Sequence, residues 1–135
     1  MIERIFLDSS FWITLRDAKE PAHARAVELT RQMLGNHCQL VITELVLAET
    51  HAYFCRSPLR SRQILDDFEN NRAIHCEPSA PSDLTEAIQL LRRHRDRTYS
   101  FCDAMSFTVM RRLGIRKAAS ADQHFRQIGE FEVIY

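Results

Sequence analysis

Four acidic residues stand in apolar surroundings. Asp8 closes the run Ile5-Phe6-Leu7 and Glu49 follows Val46-Leu47-Ala48; Asp103 lies within Phe101-Cys102-Asp103-Ala104-Met105 and Asp122 follows Ala118-Ala119-Ser120-Ala121. Charged side chains are seldom buried without a partner, and no lysine or arginine adjoins any of the four in the chain. A divalent cation is the economical partner, because hard cations are held by carboxylate and water oxygens. Taken singly, each acid has a plainer role: Asp8 as a helix cap, Asp103 and Asp122 as complements to helix starts, Glu49 as a less buried residue than its context suggests. Taken together they do not, because two carboxylates about 4 Å apart repel by about 4 kcal/mol at an effective dielectric of roughly 20. Four of them without compensation would consume much of a domain's ~5–15 kcal/mol stability. The set predicts metal-dependent hydrolysis.

The elements that must position these acids follow from periodicity and turn residues. Residues 4–7 read as a buried strand ending at Asp8, and Ser9 or Ser10 can cap a short helix around residues 11–16. Pro21 suits the first turn of the next helix, with apolar spacing through Ala24, Val27 and Leu34 and a stop at Gly35-Asn36. Residues 40–42 are a second strand, after which Thr43 caps a helix from Glu44 to about residue 56; Ser57-Pro58 separates it from another reaching about residue 71. Residues 73–77 form a third strand, and Ser82 caps a helix to about residue 97. Residues 101–113 form an apolar helix stopped by Gly114, followed by a strand at 116–119, a short helix at 122–128 and a strand at 132–135.

Strands alternating with helices predict a single α/β domain over residues 1–135, a three-layer α/β/α sandwich with a parallel sheet of four to five strands. Ligands in such sheets bind beyond the strands' C-terminal ends, where strand order reverses. Asp8 leaves the first strand there and Asp122 the fourth, so the two meet if those strands are neighbours. Glu49 is expected on the core-facing stripe of its helix with Leu45, Ala52 and Tyr53. Asp103 faces Tyr99, Ser106 and Phe107 in the first turn, near the positive end of the helix dipole.

Composition narrows the function classes. Net charge is zero over 135 residues, which lends nucleic-acid binding no support of its own. Only Lys19 and Lys117 are lysines, and the 16 arginines cluster at Arg92, Arg93, Arg95 and Arg97, at Arg111-Arg112, and around Arg56, Arg60 and Arg62. The planar guanidinium suits phosphate and carboxylate, although solvated helix faces explain such clusters equally well. No apolar run approaches the ~20 residues of a membrane helix, and no basic-then-apolar leader opens the chain, so a cytoplasmic location away from membranes is expected. Four irregularly spaced cysteines read as buried reduced thiols. Among six histidines only His124, just past Asp122, invites notice, with surface or supporting duty expected rather than ligation. Three glycines leave room for neither a P-loop nor a dinucleotide fingerprint. There is no G-x-S-x-G elbow, and Asp8-Ser9-Ser10 lacks the second aspartate that phosphoaspartyl enzymes use.

The segments Phe6-Leu7-Asp8-Ser9-Ser10, Glu44-Leu45-Val46-Leu47-Ala48-Glu49, Phe101-Cys102-Asp103-Ala104 and Ala119-Ser120-Ala121-Asp122-Gln123-His124-Phe125 resemble, in order, the four motifs of the PIN-domain ribonucleases. The small VapC-like toxins of toxin–antitoxin pairs are most similar. The resemblance implies that Asp8, Glu49, Asp103 and Asp122 are the acidic catalytic positions, with Mg²⁺ (or Mn²⁺) held by Asp8, Asp103 and Asp122. Ser10 and Ser120 match small hydroxyl positions near the site. Glu44 stands where the family has a small polar residue and is the rival to Glu49. The implied activity is metal-dependent endoribonuclease cleavage of single-stranded or loop RNA, with Arg92, Arg93, Arg95 and Arg97 guiding the phosphates. The implied partners are a cognate antitoxin and a second copy of the chain; without them the helices around Phe54, Ile64, Leu65 and Phe68 would leave apolar surface. Two alternatives remain: a PIN-type nuclease of RNA maturation or DNA processing, and a non-catalytic RNA- or protein-binding module.

Overall fold

The computed structural model describes residues 2–135. Its strands are β1 (Arg4–Leu7), β2 (Gln39–Thr43), β3 (Ile74–Glu77), β4 (Lys117–Ala119) and β5 (Glu132–Val133). The helices are α1 (Ser9–Arg16), α2 (His23–Gly35), α3 (Glu44–Phe54), α4 (Pro58–Asn70), α5 (Pro81–Arg93), α6 (Phe101–Leu113) and α7 (His124–Gln127). All strand pairs are parallel, in the order β3-β2-β1-β4-β5. The chain steps outward from β1 through β2 to β3, then returns across the sheet to β4. Right-handed crossovers therefore set α1 to α4 on one face and α5 with α6 on the other, the expected sandwich. The reversal falls between β1 and β4, whose register pairs Phe6 with Ala118 and Leu7 with Ala119.

Side chains acting locally define the helix boundaries. Thr43 Oγ1 accepts the Val46 amide at 3.2 Å and Ser57 Oγ that of Arg60 at 3.3 Å, capping α3 and α4. Gly114 ends α6 with φ +70°, a left-handed conformation glycine adopts without strain. Several expected boundaries shift. The first helix opens at Ser9, so neither serine is its cap; Asp8 holds that position. Pro21 lies outside α2, whose buried residues are Ala26 and Met33, while Ala24 and Leu34 are exposed. At α5 the Asp83 carboxylate, not Ser82, accepts the Ala80 amide at 2.8 Å. That helix stops at Arg93 because the next residues are recruited elsewhere: Tyr99 packs edge-on against Phe107 and Ser100 caps α6.

Trp12, Phe6, Phe11, Phe107 and Phe125 are the largest fully buried side chains. Phe107 joins the layers near the sheet reversal, touching Tyr99, Phe125 and Phe131. Trp12 Nε1 donates to Asp67 Oδ2 at 2.9 Å, and Arg16 pairs with the same carboxylate, tying α1 to α4. Arg112 of α6 likewise clamps Asp83 of α5 through two bonds of 3.0 Å. Burial alone would raise the Asp83 carboxyl, but Arg112 and the Ala80 amide hold it below its usual range.

All four cysteines are free thiols, yet only Cys38 is buried; Cys55 is exposed and the other two are half-buried. The apolar surface also differs from expectation, since Phe54 and Ile64 are buried and Phe68 packs against the core. Leu65 is exposed, alongside Tyr53, Leu59, Leu84 and Ile88. Among the described residues no helix is long and apolar enough to cross a membrane.

Replacing Phe107, which is 0% exposed, by alanine should destabilise the protein by about 3–5 kcal/mol. Urea unfolding would show this as a lower midpoint with an unchanged slope.

Candidate active site

The β1–β4 ladder extends one bond past β1, where the Asp8 amide donates to the Ala119 carbonyl at 3.0 Å. This sets Asp8 beside the turn that carries Ser120 and Asp122. The Asp8 side chain caps nothing. Its Oδ2 instead accepts the hydroxyls of Ser10 at 2.7 Å and Ser120 at 2.9 Å. Ser120 Oγ in turn accepts the Asp122 amide at 3.0 Å, and Ser10 Oγ accepts that of Ala121 at 2.9 Å. The two expected hydroxyls thus lock both strand ends together.

Asp103 arrives from the other helix layer. It forms a reciprocal cap with Ser100: the Asp103 amide donates to Ser100 Oγ and the Ser100 amide to Asp103 Oδ2, each at 3.0 Å. The aspartate therefore does start its helix, as its plainer role had it, while also facing the crevice. Asp122 bends the chain into α7 by accepting the His124 amide at 2.9 Å.

Glu49 requires a correction. It is exposed, as are Ala52 and Tyr53, and α3 turns Val46, Thr50 and Phe54 inward instead. Apolar residues are spread around this helix, so its pattern fits more than one face; buried Thr50 is accommodated by donating to the Val46 carbonyl at 2.7 Å. Glu49 still reaches the site, from its rim. Its Oε1 accepts the Ser9 hydroxyl and, at 3.9 Å, the Cys102 thiol. Glu44 goes elsewhere: burial and then the field of Glu44 raise the Cys76 thiol, which places that glutamate beside β3.

One pattern unites the four acids. Each turns one oxygen to the protein, and among the described residues the second oxygen accepts no hydrogen bond. Among those residues the one basic side chain beside them is His124, whose Nδ1 lies 2.9 Å from Asp103 Oδ2 and 3.2 Å from Asp122 Oδ1. Asp103, Asp122 and His124 offer ligand atoms within 4.8 Å of one another. His124 thus sits closer to the acids than the surface or supporting duty expected of it; the spacing Asp122-Gln123-His124 at a helix start is the sequence signal for this. Ser9, Thr98 and Cys102 were missed, because only the fold brings them to the acids.

Burial, with charge crowding behind it, shifts the titration of Asp8 and Asp103. Burial, ahead of the fields of Asp103 and Asp122, raises the Asp8 carboxyl from 3.8 to about 6, against the pull of the Ser10 and Ser120 hydroxyls. Burial also raises Asp103, with Asp122 adding to the effect while the Ser100 amide and His124 oppose it. Burial and the neighbouring Glu49, Asp8 and Asp103 hold the Cys102 thiol far above its ordinary range, so it remains a donor. A crowded set of oxygens with no lysine or arginine paired to it among the described residues, each carboxylate keeping a free lone-pair face, has the donor chemistry of a Mg²⁺ or Mn²⁺ site. A cavity of about 500 Å³ between α1, α2 and α4 contains none of these acids.

The loop after the basic segment reaches this crevice through Thr98. Arg92 and Arg93 end α5, whereas Arg95 and Arg97 lie in the exposed loop that delivers Thr98, whose hydroxyl is 3.0 Å from His124 Nε2.

Residues 5–131 match the PIN domain. The 23S rRNA-specific endonuclease VapC20 of Mycobacterium tuberculosis is 33% identical over 135 residues, 96% of this chain and 97% of that protein. Its crystal structure, described as a sarcin–ricin loop cleaving toxin, has a TM-score of 0.83 at 30% identity, covering 96% of this chain and 98% of that one. VapBC2 from Rickettsia felis, bound to a DNA fragment from their promoter, shares the fold at TM-score 0.68 and 13% identity, with 97% of each chain covered. So does FitAcB from Neisseria gonorrhoeae, at TM-score 0.70 and 11% identity, covering 97% of this chain and 96% of that one.

The raised Asp8 carboxyl fixes a sign for stability against pH. Folded protein holds this proton more tightly than the unfolded chain, so the contribution is fully present below pH 3.8 and is lost as pH rises through about 6. The loss amounts to ~3 kcal/mol at most. In chelator-treated protein, Asp8→Asn should therefore gain stability over wild type at roughly pH 7.5 compared with roughly pH 4. Urea midpoints at the two pH values measure it, and a difference independent of pH would refute the assignment.

Proposed function

The chain belongs to the PIN-domain family, and from that premise we propose that it is a divalent-cation-dependent endoribonuclease, the toxin of a toxin–antitoxin pair. The observation that carries this reading is the convergence of four acids, each with one free oxygen, where the strand order reverses. Asp8, Asp103 and Asp122 would hold Mg²⁺ or Mn²⁺. The bound ion would polarise the scissile phosphate and lower the pKa of a water.

The remaining work falls to the chain's own groups. Ser10 and Ser120 keep the Asp8 carboxylate from swinging away, which limits the reorganisation needed when substrate arrives. Glu49, aligned by Ser9, presents its free Oε2 at the rim, where it can orient the attacking water and accept its proton. Arg95 and Arg97, exposed in the loop that carries Thr98, would guide a phosphodiester backbone entering the crevice, with Arg92 and Arg93 at the end of α5. A loop of RNA suits this geometry, because its bases can splay while its backbone bends towards the acids. The substrate named for the Mycobacterium tuberculosis relative makes a sarcin–ricin loop oligonucleotide the first RNA to test.

The antitoxin partner would cover the crevice and place a cationic side chain among the acids. A second copy of the chain would cover part of the apolar surface around Tyr53, Leu59 and Leu65. The cytoplasm is the compartment where such a toxin meets ribosomal RNA. A short DNA-binding reading frame beside this gene would favour the toxin role over RNA maturation.

With Mn²⁺, wild-type protein should cleave that oligonucleotide, and Asp8→Asn or Asp103→Asn should slow cleavage by at least roughly 100-fold. Equal rates for wild type and Asp8→Asn would sink the assignment. Alanine at both Arg95 and Arg97 should raise KM several-fold and leave kcat unchanged, since those contacts serve bound and reacting RNA alike.

A further inference from the structure

We propose that His124 is a positioning residue that sets Asp103 and Asp122 at the spacing a cation needs; the inference rests on the metal-site reading above. The imidazole lies between two elements that share no backbone bond, α6 and the turn after β4. Its Nδ1 meets one oxygen from each carboxylate, at 2.9 and 3.2 Å. Two acceptors converging on one ring nitrogen require it to carry the proton, so Nδ1 donates, while Nε2 is hydrogen-bonded to the Thr98 hydroxyl at 3.0 Å.

The ring itself is fixed. It stands at 90° to Tyr99 with centroids 5.3 Å apart, and Tyr99 is buried against Phe107. The histidine backbone is held as well, its amide bonded to Asp122 Oδ1. Both ring nitrogens are therefore engaged, whereas Asp103 Oδ1 and Asp122 Oδ2 accept no hydrogen bond among the described residues. The arrangement divides the labour: one oxygen of each carboxylate goes to His124 and the other is left for the ion. Without the imidazole the two acids would repel each other apart, and an ion binding between them would have to draw them back.

The test is Mn²⁺ affinity, followed by the loss of the free-ion electron paramagnetic resonance signal, with thermal unfolding of the metal-free proteins alongside. His124→Ala should weaken Mn²⁺ binding about 10- to 100-fold. His124→Asn, which keeps a donor near the Nδ1 position, should restore most of it. Thr98→Val, on an exposed loop, leaves the imidazole in place but releases its Nε2, and should cost several-fold while folding normally. Pulsed spectroscopy of Mn²⁺-loaded wild type should show no directly bonded nitrogen. Equal affinity in all four proteins overturns this role alone, and a directly coordinated ¹⁴N makes His124 a ligand instead. Wild type that binds no Mn²⁺ overturns the metal-site reading and this inference with it. If Asn fails to rescue Ala although both unfold at the same temperature as wild type, the donor geometry is irrelevant and the proposal fails.

Discussion

Like charges gathered at the end of a parallel sheet are the constraint that organises this molecule. Asp8 and Asp103 are nearly buried, Asp122 and Glu49 stand further out, and no lysine or arginine side chain pairs with any of them among the described residues. Each pair at contact distance costs a few kcal/mol even in a polarisable interior. The fold tolerates that cost because backbone interactions that no side chain can abandon hold the acids in place. The β1–β4 ladder fixes Asp8, the first turn of α6 fixes Asp103, and the turn into α7 fixes Asp122. An interaction that opposes folding thus persists because stronger ones over-determine its geometry.

Hydroxyl groups keep those carboxylates usable. Ser9, Ser10 and Ser120 each spend their proton on one carboxylate oxygen, and Ser100 pairs with Asp103 through the helix cap. Neutral donors stabilise the anions without cancelling their charge, whereas an arginine in the same position would fill the site itself. The contrast with Asp83 shows the alternative. That equally buried carboxylate is clamped by Arg112 through both oxygens, titrates below its usual range and has nothing left for a ligand. Burial alone therefore does not distinguish the acids of the proposed site; an oxygen left free of hydrogen bonds does.

Much of this order could be read from the chain. The end of the first strand at Asp8, the cap at Thr43, the helix break at Ser57-Pro58 and the stop at Gly114 are signalled locally, and alternation of strands with helices implies the sheet. What could not be read depended on contacts distant in sequence. Sequence spacing puts Glu49 on a stripe with Leu45, Ala52 and Tyr53, but apolar residues lie on other faces of α3 too, and only packing decides which turns inward. Residues 94–97 continue a helical composition, yet Tyr99 and Ser100 pull the chain into a loop to serve α6 and His124. The cysteines follow the same logic: small apolar side chains fit a core or a rim, and Cys102 ended beside Glu49 because α6 begins there.

That loop carries a consequence for charge. The chain is neutral overall, so attraction of a polyanion cannot come from net charge and must come from local arrangement. An acidic crevice alone would repel RNA. Placing Arg95 and Arg97 in the segment that also supplies Thr98 puts positive potential within a few residues of the carboxylates, yet outside hydrogen-bonding contact with them. In the reading proposed above these arginines would meet phosphate: Arg97 lies 4.0 Å from Asp96, while Asp8, Asp103 and Asp122 are bonded to hydroxyls, amides and an imidazole. Attraction at the rim and crowded oxygens at the centre can coexist only while those bonds keep the two sets of charges from neutralising each other.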